Sequence, residues 1–221
     1  MKTIDLHTHT TASDGSFTPV ELVDYAVKKK LSAIAITDHD TMDGIQEAID
    51  YIRESELSLE LIPGMEVSTT HSDAPYGLHI LAYFIDKDDE KLADILNNIK
   101  RDIQQSSAKP RDAIDIISRY GGISVLAHPK DCFLSFTGLD SLVEELVSFG
   151  LKGVECIYTT HSEVETEQFK KIASRYDLLI TGGTDFHGLG KPNVDLGSGF
   201  GNMTIPYDIV SSLKNKAVTG G

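Results

Sequence analysis

The chain has no tryptophan and only two cysteines, Cys132 and Cys156, among 221 residues. Without a CxxC spacing, neither a disulfide framework nor a thiolate zinc site is indicated. No stretch approaches the ~20 apolar residues of a membrane span, and no apolar signal region opens the chain. A cytoplasmic protein with both thiols reduced is therefore expected. Positive charge is scarce too, with 20 basic against 34 acidic residues and a net charge of −14. That argues against a broad electropositive surface for duplex nucleic acid. The one basic run, Lys28-Lys29-Lys30, falls at the end of a predicted helix, where cations favour the dipole. There is no GxSxG, no internal repeat and no low-complexity linker. The remaining composition, 40% hydrophobic and 24% charged, is that of an ordinary globular chain.

Histidine is what the chain does have, and it is patterned. Six of the eight histidines sit in short motifs that follow or end an apolar run: His7 and His9 in LHTHT, His39 in TDHD, His79 in LHILAY, His128 in AHP and His187 in TDFH. Neutral imidazole is a leading ligand for zinc, iron and manganese, and carboxylates complete such sites.

Strand and helix signals alternate along the chain. Strands are expected at Ile4–Leu6, Leu31–Thr37, Leu57–Ile62, Met65–Ser68, Gly77–Phe84, Ile123–Ala127, Gly153–Tyr158 and Leu178–Thr181, with a Pro63-Gly64 turn between the third and fourth. Thr18-Pro-Val-Glu21 and Ser162-Glu-Val-Glu165 are capping boxes. The first opens a helix with a stripe of Val20, Val23, Ala26 and Val27. Thr41 is expected to cap a second helix, with Ile45, Ala48, Ile49 and Ile52 turned inward. Further helices are expected around Ser141–Phe149 and Tyr207–Lys216, and residues 86–120 read as mostly helical with a break at Lys109-Pro110. Apolar strands alternating with amphipathic helices imply a parallel sheet covered by helices. Polar residues recur at the strand ends, where barrel folds place chemistry. An α/β barrel of about seven strands fits better than an open sheet.

On a strand, residues two apart share a face, so His7 and His9 can grip one ion, and Asp185 and His187 repeat that spacing. Asp14 follows the first pair in a turn-rich ASDG. Asp38 or Asp40 is placed to orient His39. Glu66 is an acid inside an apolar strand and needs a partner or a metal. Each signal alone is modest, and their recurrence at strand ends along nearly the whole chain is the stronger observation.

The series HTHTTASDG, TDHDT, GMEVS, LHILAY, AHP and TDFHG resembles the PHP (polymerase and histidinol phosphatase) family over residues 3 to about 200. The resemblance implies a distorted (β/α)7 TIM-like barrel, one domain over residues 1–221, with two to three divalent ions (Zn, Mn or Fe) at the C-terminal ends of the strands. It places His7, His9, Glu66 and Asp185 on a first ion. Glu66, as a bridge, with His79 and His128 falls on a second, and Asp14, His39 and His187 on a third. A metal-bridging hydroxide held by His7, His9, Glu66, His79, His128 and Asp185 would then attack phosphorus. GVECIY with HS at 161–162, and HGLGKPNVDLGS at 187–198, are similar to the branch of nucleotide phosphatases and a 5′–3′ exoribonuclease. Relatives there carry a larger inserted domain between the positions of His79 and His128. Here the 86–120 stretch alone fills that gap, as a short insertion or lid.

The expected reaction is hydrolysis of phosphate monoesters of a small, nucleotide-like substrate. Arg101, Arg111, His161 and Lys191 are the candidates for touching it, each weighed against a solvated or helix-terminal role. The rivals are a 5′–3′ exonuclease on short single strands, a histidinol-phosphate-type phosphatase, an amidohydrolase-type barrel, and a non-catalytic metal-stabilised scaffold. No membrane partner is expected.

Overall fold

The computed structural model describes residues 2–85, 87–132 and 134–219. Its elements run β1 (Ile4–Asp5), α1 (Pro19–Lys28), β2 (Ala33–Ile36), α2 (Ile45–Glu54), β3 (Glu60–His71), β4 (Ala74–Tyr83), α3 (Asp89–Gln104), α4 (Pro110–Arg119), β5 (Ile123–Leu126), α5 (Phe136–Ser148), β6 (Gly153–Tyr158), α6 (Glu163–Arg175), β7 (Leu179–Gly183) and α7 (Asp208–Thr219). The seven strands lie in chain order in one sheet. The sheet curls into a nearly closed barrel. Backbone bonds from Leu6 N to Gly182 O (3.3 Å), Asp185 N to His7 O (2.9 Å) and His9 N to Phe186 O (2.9 Å) join its two edges.

Strand alternation sorts the core into two layers. Ala33 and Ala35 face the barrel interior with Ile4, Leu6, Leu81, Tyr83 and Val125, and α7 plugs the end where β1 begins through Val210 and Leu213. Ile34 and Ile36 face outward to meet Leu22, Val23 and Ala26 of α1 and Ile45 and Ala48 of α2. Val27, expected in the inward stripe of α1, is 39% exposed, and Leu22 takes its place.

The parallel expectation fails at one strand. β4 pairs antiparallel with both β3 and β5, while the other pairs are parallel. Only Ser72 and Asp73 separate β3 from β4, too short a link for the crossover that a parallel pair needs. Pro63-Gly64 is likewise no turn. β3 runs through it, with Pro63 beside Ile36 of β2 and Gly64 beside Tyr83 of β4. Pro63 supplies its carbonyl to Phe84 N (2.9 Å), so its missing N–H costs nothing on that side.

Both capping boxes form, at Thr18 and Ser162. Thr41 does not cap α2. Its hydroxyl accepts from Asp43 N (3.2 Å), and Gly44 precedes the helix without a side-chain cap. α5 starts earlier than expected because Ser135 caps it, accepting from Gly138 N (3.2 Å). The 86–120 stretch becomes α3 and α4. Ile95, Ile99 and Ile103 of α3 and Ala113, Ile114 and Ile117 of α4 are buried in the outer layer. No helix among the described residues is long and apolar enough to cross a membrane.

Candidate metal centre

β1 and its continuation carry His7 and His9 to one end of the barrel. β2 delivers His39, β5 delivers His128, and β7 delivers Asp185 and His187 to the same end. His79 reaches it from the middle of β4, opposite Ser68, because that strand runs the other way. Glu66, in β3, stands at the centre. Its Oε2 lies 3.1 Å from His7 Nε2, 3.1 Å from His9 Nε2 and 3.5 Å from His39 Nδ1. Its Oε1 lies 2.9 Å from both His79 Nδ1 and His128 Nε2. The two oxygens of one buried carboxylate thus face two different sets of imidazoles.

Asp185 divides its oxygens too. Oδ1 faces His7 Nε2 (3.6 Å), His9 Nε2 (3.3 Å) and His187 Nδ1 (3.3 Å). Oδ2 accepts from Tyr158 Oη–H at 2.9 Å and is paired with the Lys191 ammonium. On the far side of His9, Asp14 approaches His187 Nε2 (3.3 Å), His9 Nδ1 (3.6 Å) and His39 Nε2 (3.9 Å). Three groups result that could each hold an ion: His7, His9, Glu66 and Asp185; His9, Asp14, His39 and His187; and His39, Glu66 and His79. All nine residues expected as ligands therefore meet in one place, with His128 beside the third group through Glu66.

One atom pair tests whether a metal fits. His9 is fully buried, and neither ring nitrogen makes a hydrogen bond despite the carboxylates beside it. Buried polar atoms are rarely left so. Lone pairs converging with carboxylate oxygens on a common point are what a cation satisfies. The thiols take no part: both cysteines are buried, and burial pushes Cys132 up to about 12 and Cys156 higher still.

The electrostatics follow from burial and crowding. Burial alone would raise Glu66, but His7, His128 and His79 hold its carboxyl well below the usual range. Asp185 is likewise held low against burial by His7 and His9. Burial opposes charge on His7, yet Glu66, Glu155 and Asp185 raise it well above the ordinary imidazole value, and His9 is raised to about 9 by Asp185 and Glu66 against the same burial. Burial keeps His39 and His187 low, hence neutral.

Sequence reasoning missed two supporting side chains. Glu155 of β6 is fully buried and grips His7 Nδ1 at 3.1 Å and 3.3 Å while accepting from His128 N at 2.8 Å. That contact fixes which nitrogen of His7 faces Glu66. The signal was available, since Glu155 is an acid inside an apolar strand just as Glu66 is. Tyr158 is the other. Burial raises its phenol far above the ordinary value, so it stays a donor to Asp185. Asp38 and Asp40 do not orient His39. Asp38 accepts from Thr10 N, Thr10 Oγ1 and Ser13 Oγ, each at 2.7 Å, and Asp40 accepts from Ser68 N at 2.8 Å.

The residues expected to touch substrate separate. Lys191 lines the metal pocket, a cavity of about 670 Å³, with Tyr158, Asp131 and seven of the nine expected ligands, His7 and His9 lying beneath the surface. Arg101, Arg111 and His161 do not line it. Arg101 pairs with its neighbour Asp102 (3.1 Å) on an exposed face of α3. The Arg111 guanidinium lies 4.1 Å over the Phe149 ring. His161 is buried against Phe169 and donates from Nδ1 to the Cys156 carbonyl (3.0 Å). Among the described residues, none of α3 or α4 lines that pocket.

A cluster of imidazoles and carboxylates at one end of a nearly closed seven-stranded barrel suits a metal-dependent hydrolase. The fold is similar to that of a Bifidobacterium adolescentis protein assigned as a metal-dependent phosphoesterase, with a TM-score of 0.76 and 26% identity over 96% of this chain and 95% of that one. The chain belongs to the PHP domain family, whose profile matches residues 5–181. Among curated relatives, it is 29% identical to the 5′-3′ exoribonuclease Rnm of Escherichia coli over 83% of this chain and 84% of that protein. It is 25% identical to the 3′,5′-nucleoside bisphosphate phosphatase of Chromobacterium violaceum over 89% of this chain and 91% of that one. The first alignment runs to 247 positions, more than the whole of this chain, so that relative carries segments absent here.

Proposed function

We propose that this chain hydrolyses phosphate monoesters of a small, nucleotide-like substrate, using two to three Zn, Mn or Fe ions. The carrying observation is Glu66, whose Oε2 faces His7 and His9 while Oε1 faces His79 and His128. A carboxylate so shared suits a bridge between neighbouring cations. His7, His9, Glu66 and Asp185 would hold one ion, Glu66 with His79 and His128 a second, and Asp14, His39 and His187 a third. Bound ions supply Lewis acidity toward phosphoryl oxygens and activation of water.

The chain's own groups do the rest. Glu155 locks the His7 ring. Tyr158 and Lys191 hold Asp185 by Oδ2, so Oδ1 stays turned to the imidazoles. Among the described residues, the Lys191 ammonium is the one lysine or arginine lining the pocket, and it is placed to meet a phosphoryl anion there. In the reaction a water oxygen bonds to phosphorus and the water gives up a proton, the P–O ester bond breaks, and the departing alkoxide takes up a proton, so the exchange balances. No side-chain nucleophile is required.

The named activities of the relatives support a nucleotide-like substrate. A second reading, a 5′–3′ exonuclease on short single strands, is favoured by the Escherichia coli relative. The net charge of −14 weighs against a long nucleic-acid groove. The test is an assay under Mn²⁺, Zn²⁺ or Fe²⁺ with p-nitrophenyl phosphate, a 3′,5′-bisphosphonucleotide, histidinol phosphate and a short 5′-phosphorylated RNA. Turnover of the bisphosphonucleotide above the RNA is expected. No turnover of any phosphoester would overturn the reading. Glu66→Gln should cost more than the roughly 10–100-fold typical of outer-shell changes, with metal content falling in parallel.

A further inference from the structure

Beside the metal pocket lies a second cleft of about 290 Å³, walled by Tyr158, Lys191, Pro192, Asn193, Val194 and Phe200. It shares Tyr158 and Lys191 with the metal pocket, so the two adjoin at that edge. The metal pocket is also lined by Asp131, whose carboxylate lies 3.6 Å from His128 Nδ1 and repels an anionic ester. The second cleft is mainly apolar, and one of its exposed walls is Phe200, 56% exposed.

That ring is held out on a built loop. Gly197, Gly199 and Gly201 take φ of +73°, +58° and +83°, a region that other residues rarely adopt. Asp195 and Gly199 exchange backbone bonds (2.7 and 2.8 Å). The Asp195 carboxylate is fixed by Lys29 Nζ (2.6 Å) and Tyr25 Oη (2.7 Å), and Gly197 N donates to buried Asp5 (2.8 Å). The pinned loop thus presents an exposed aromatic ring at a mainly apolar cleft that adjoins the metal pocket.

We infer that this cleft receives the leaving group of the phosphate ester, and that the leaving group carries a planar aromatic ring stacked on Phe200, as a nucleoside does. The inference deepens the proposed hydrolase reading and rests on it for the position of the phosphate. With phosphorus at the expected ligands, a leaving group directed past Lys191 would enter this mainly apolar cleft. Pro192 and Val194 form the side walls, and the Asn193 carboxamide is available to the polar edge of a base. Phe200 is thereby a specificity-determining residue and takes no part in the chemistry.

The chain has no tryptophan, so Phe200→Trp installs a single reporter at the site. Titration of that variant with adenosine 3′,5′-bisphosphate should quench its fluorescence saturably, and ribose 5-phosphate should not. In Phe200→Ala, the ratio of kcat/KM for the bisphosphonucleotide over that for ribose 5-phosphate should fall roughly 10-fold or more, and Phe200→Tyr should restore it. Equal response to both ligands, or an unchanged ratio, would overturn the inference. So would quenching that grows with protein concentration alone, which would put a second copy of the chain in the cleft. Selective quenching without turnover would sink the hydrolase reading and keep the cleft. Turnover without quenching would do the reverse.

Discussion

Glu155 shows at the scale of one residue how an unremarked side chain governs a site. It touches His7 Nδ1 and the His128 backbone, so it holds two expected ligands from two strands at once. Removing its charge while keeping its shape should leave the fold intact and loosen both. Glu155→Gln is expected to weaken metal affinity about 10–100-fold, read by competition with a chelating dye, with unchanged far-UV dichroism. Unaltered affinity would show that His7 needs no such partner. The nine expected ligands were legible because imidazole and carboxylate are rare inside apolar strands and recur here at strand ends. Glu155 obeyed the same rule, but no motif around it marked it as a ligand. Arg101 and Arg111 failed for a different reason. A cation's target depends on helix rotation, and these found Asp102 and Phe149 on the flank.

The elements bring the ligands together through a few exact fits. At the seam between β7 and β1, a Cβ on Gly183 would lie 2.2 Å from the His7 Cβ and 2.6 Å from its backbone nitrogen. Gly183→Ala should therefore push His7 out of line. We expect a loss of about 1–3 kcal/mol in stability, seen in urea unfolding, together with reduced metal content. A variant with wild-type midpoint and metal content would refute the tight seam. Strain sits at the same rim. His128 and Asp185 hold φ of +24° and +58°, as residues at functional sites do when the surroundings over-determine them. Most elements could be read from sequence, and the capping boxes at Thr18 and Ser162 marked their helices to the residue. The reversal of β4 could not be read from apolar periodicity, because a buried strand looks alike in either direction. The short Ser72-Asp73 link was the available clue.

For the whole molecule, the metal-free state and the metal-loaded state should respond oppositely to pH. Among the cluster, His7 and His9 are raised above the ordinary value of about 6.5, His9 to about 9, and His128 is raised with them by Glu66 against burial. Below pH 6.5 these rings are protonated both folded and unfolded, so their contribution is fully present. Between 6.5 and 9 the unfolded chain releases those protons first, and the folded protein loses the advantage as pH rises. Glu66 and Asp185 are held low and are ionised in both states throughout that window. His39 and His187, held low as imidazoles, weaken the fold only as pH falls below 6.5. Thermal unfolding in EDTA should thus show stability falling by up to about 3 kcal/mol from pH 6.5 to 9. Divalent ions take the place of those protons, so metal binding should release protons and tighten over the same range. Added Mn²⁺ should then flatten or reverse the decline in melting temperature. A metal-free melting temperature that holds level or climbs from pH 6.5 to 9 would mean that the buried carboxylates do not keep these imidazoles charged.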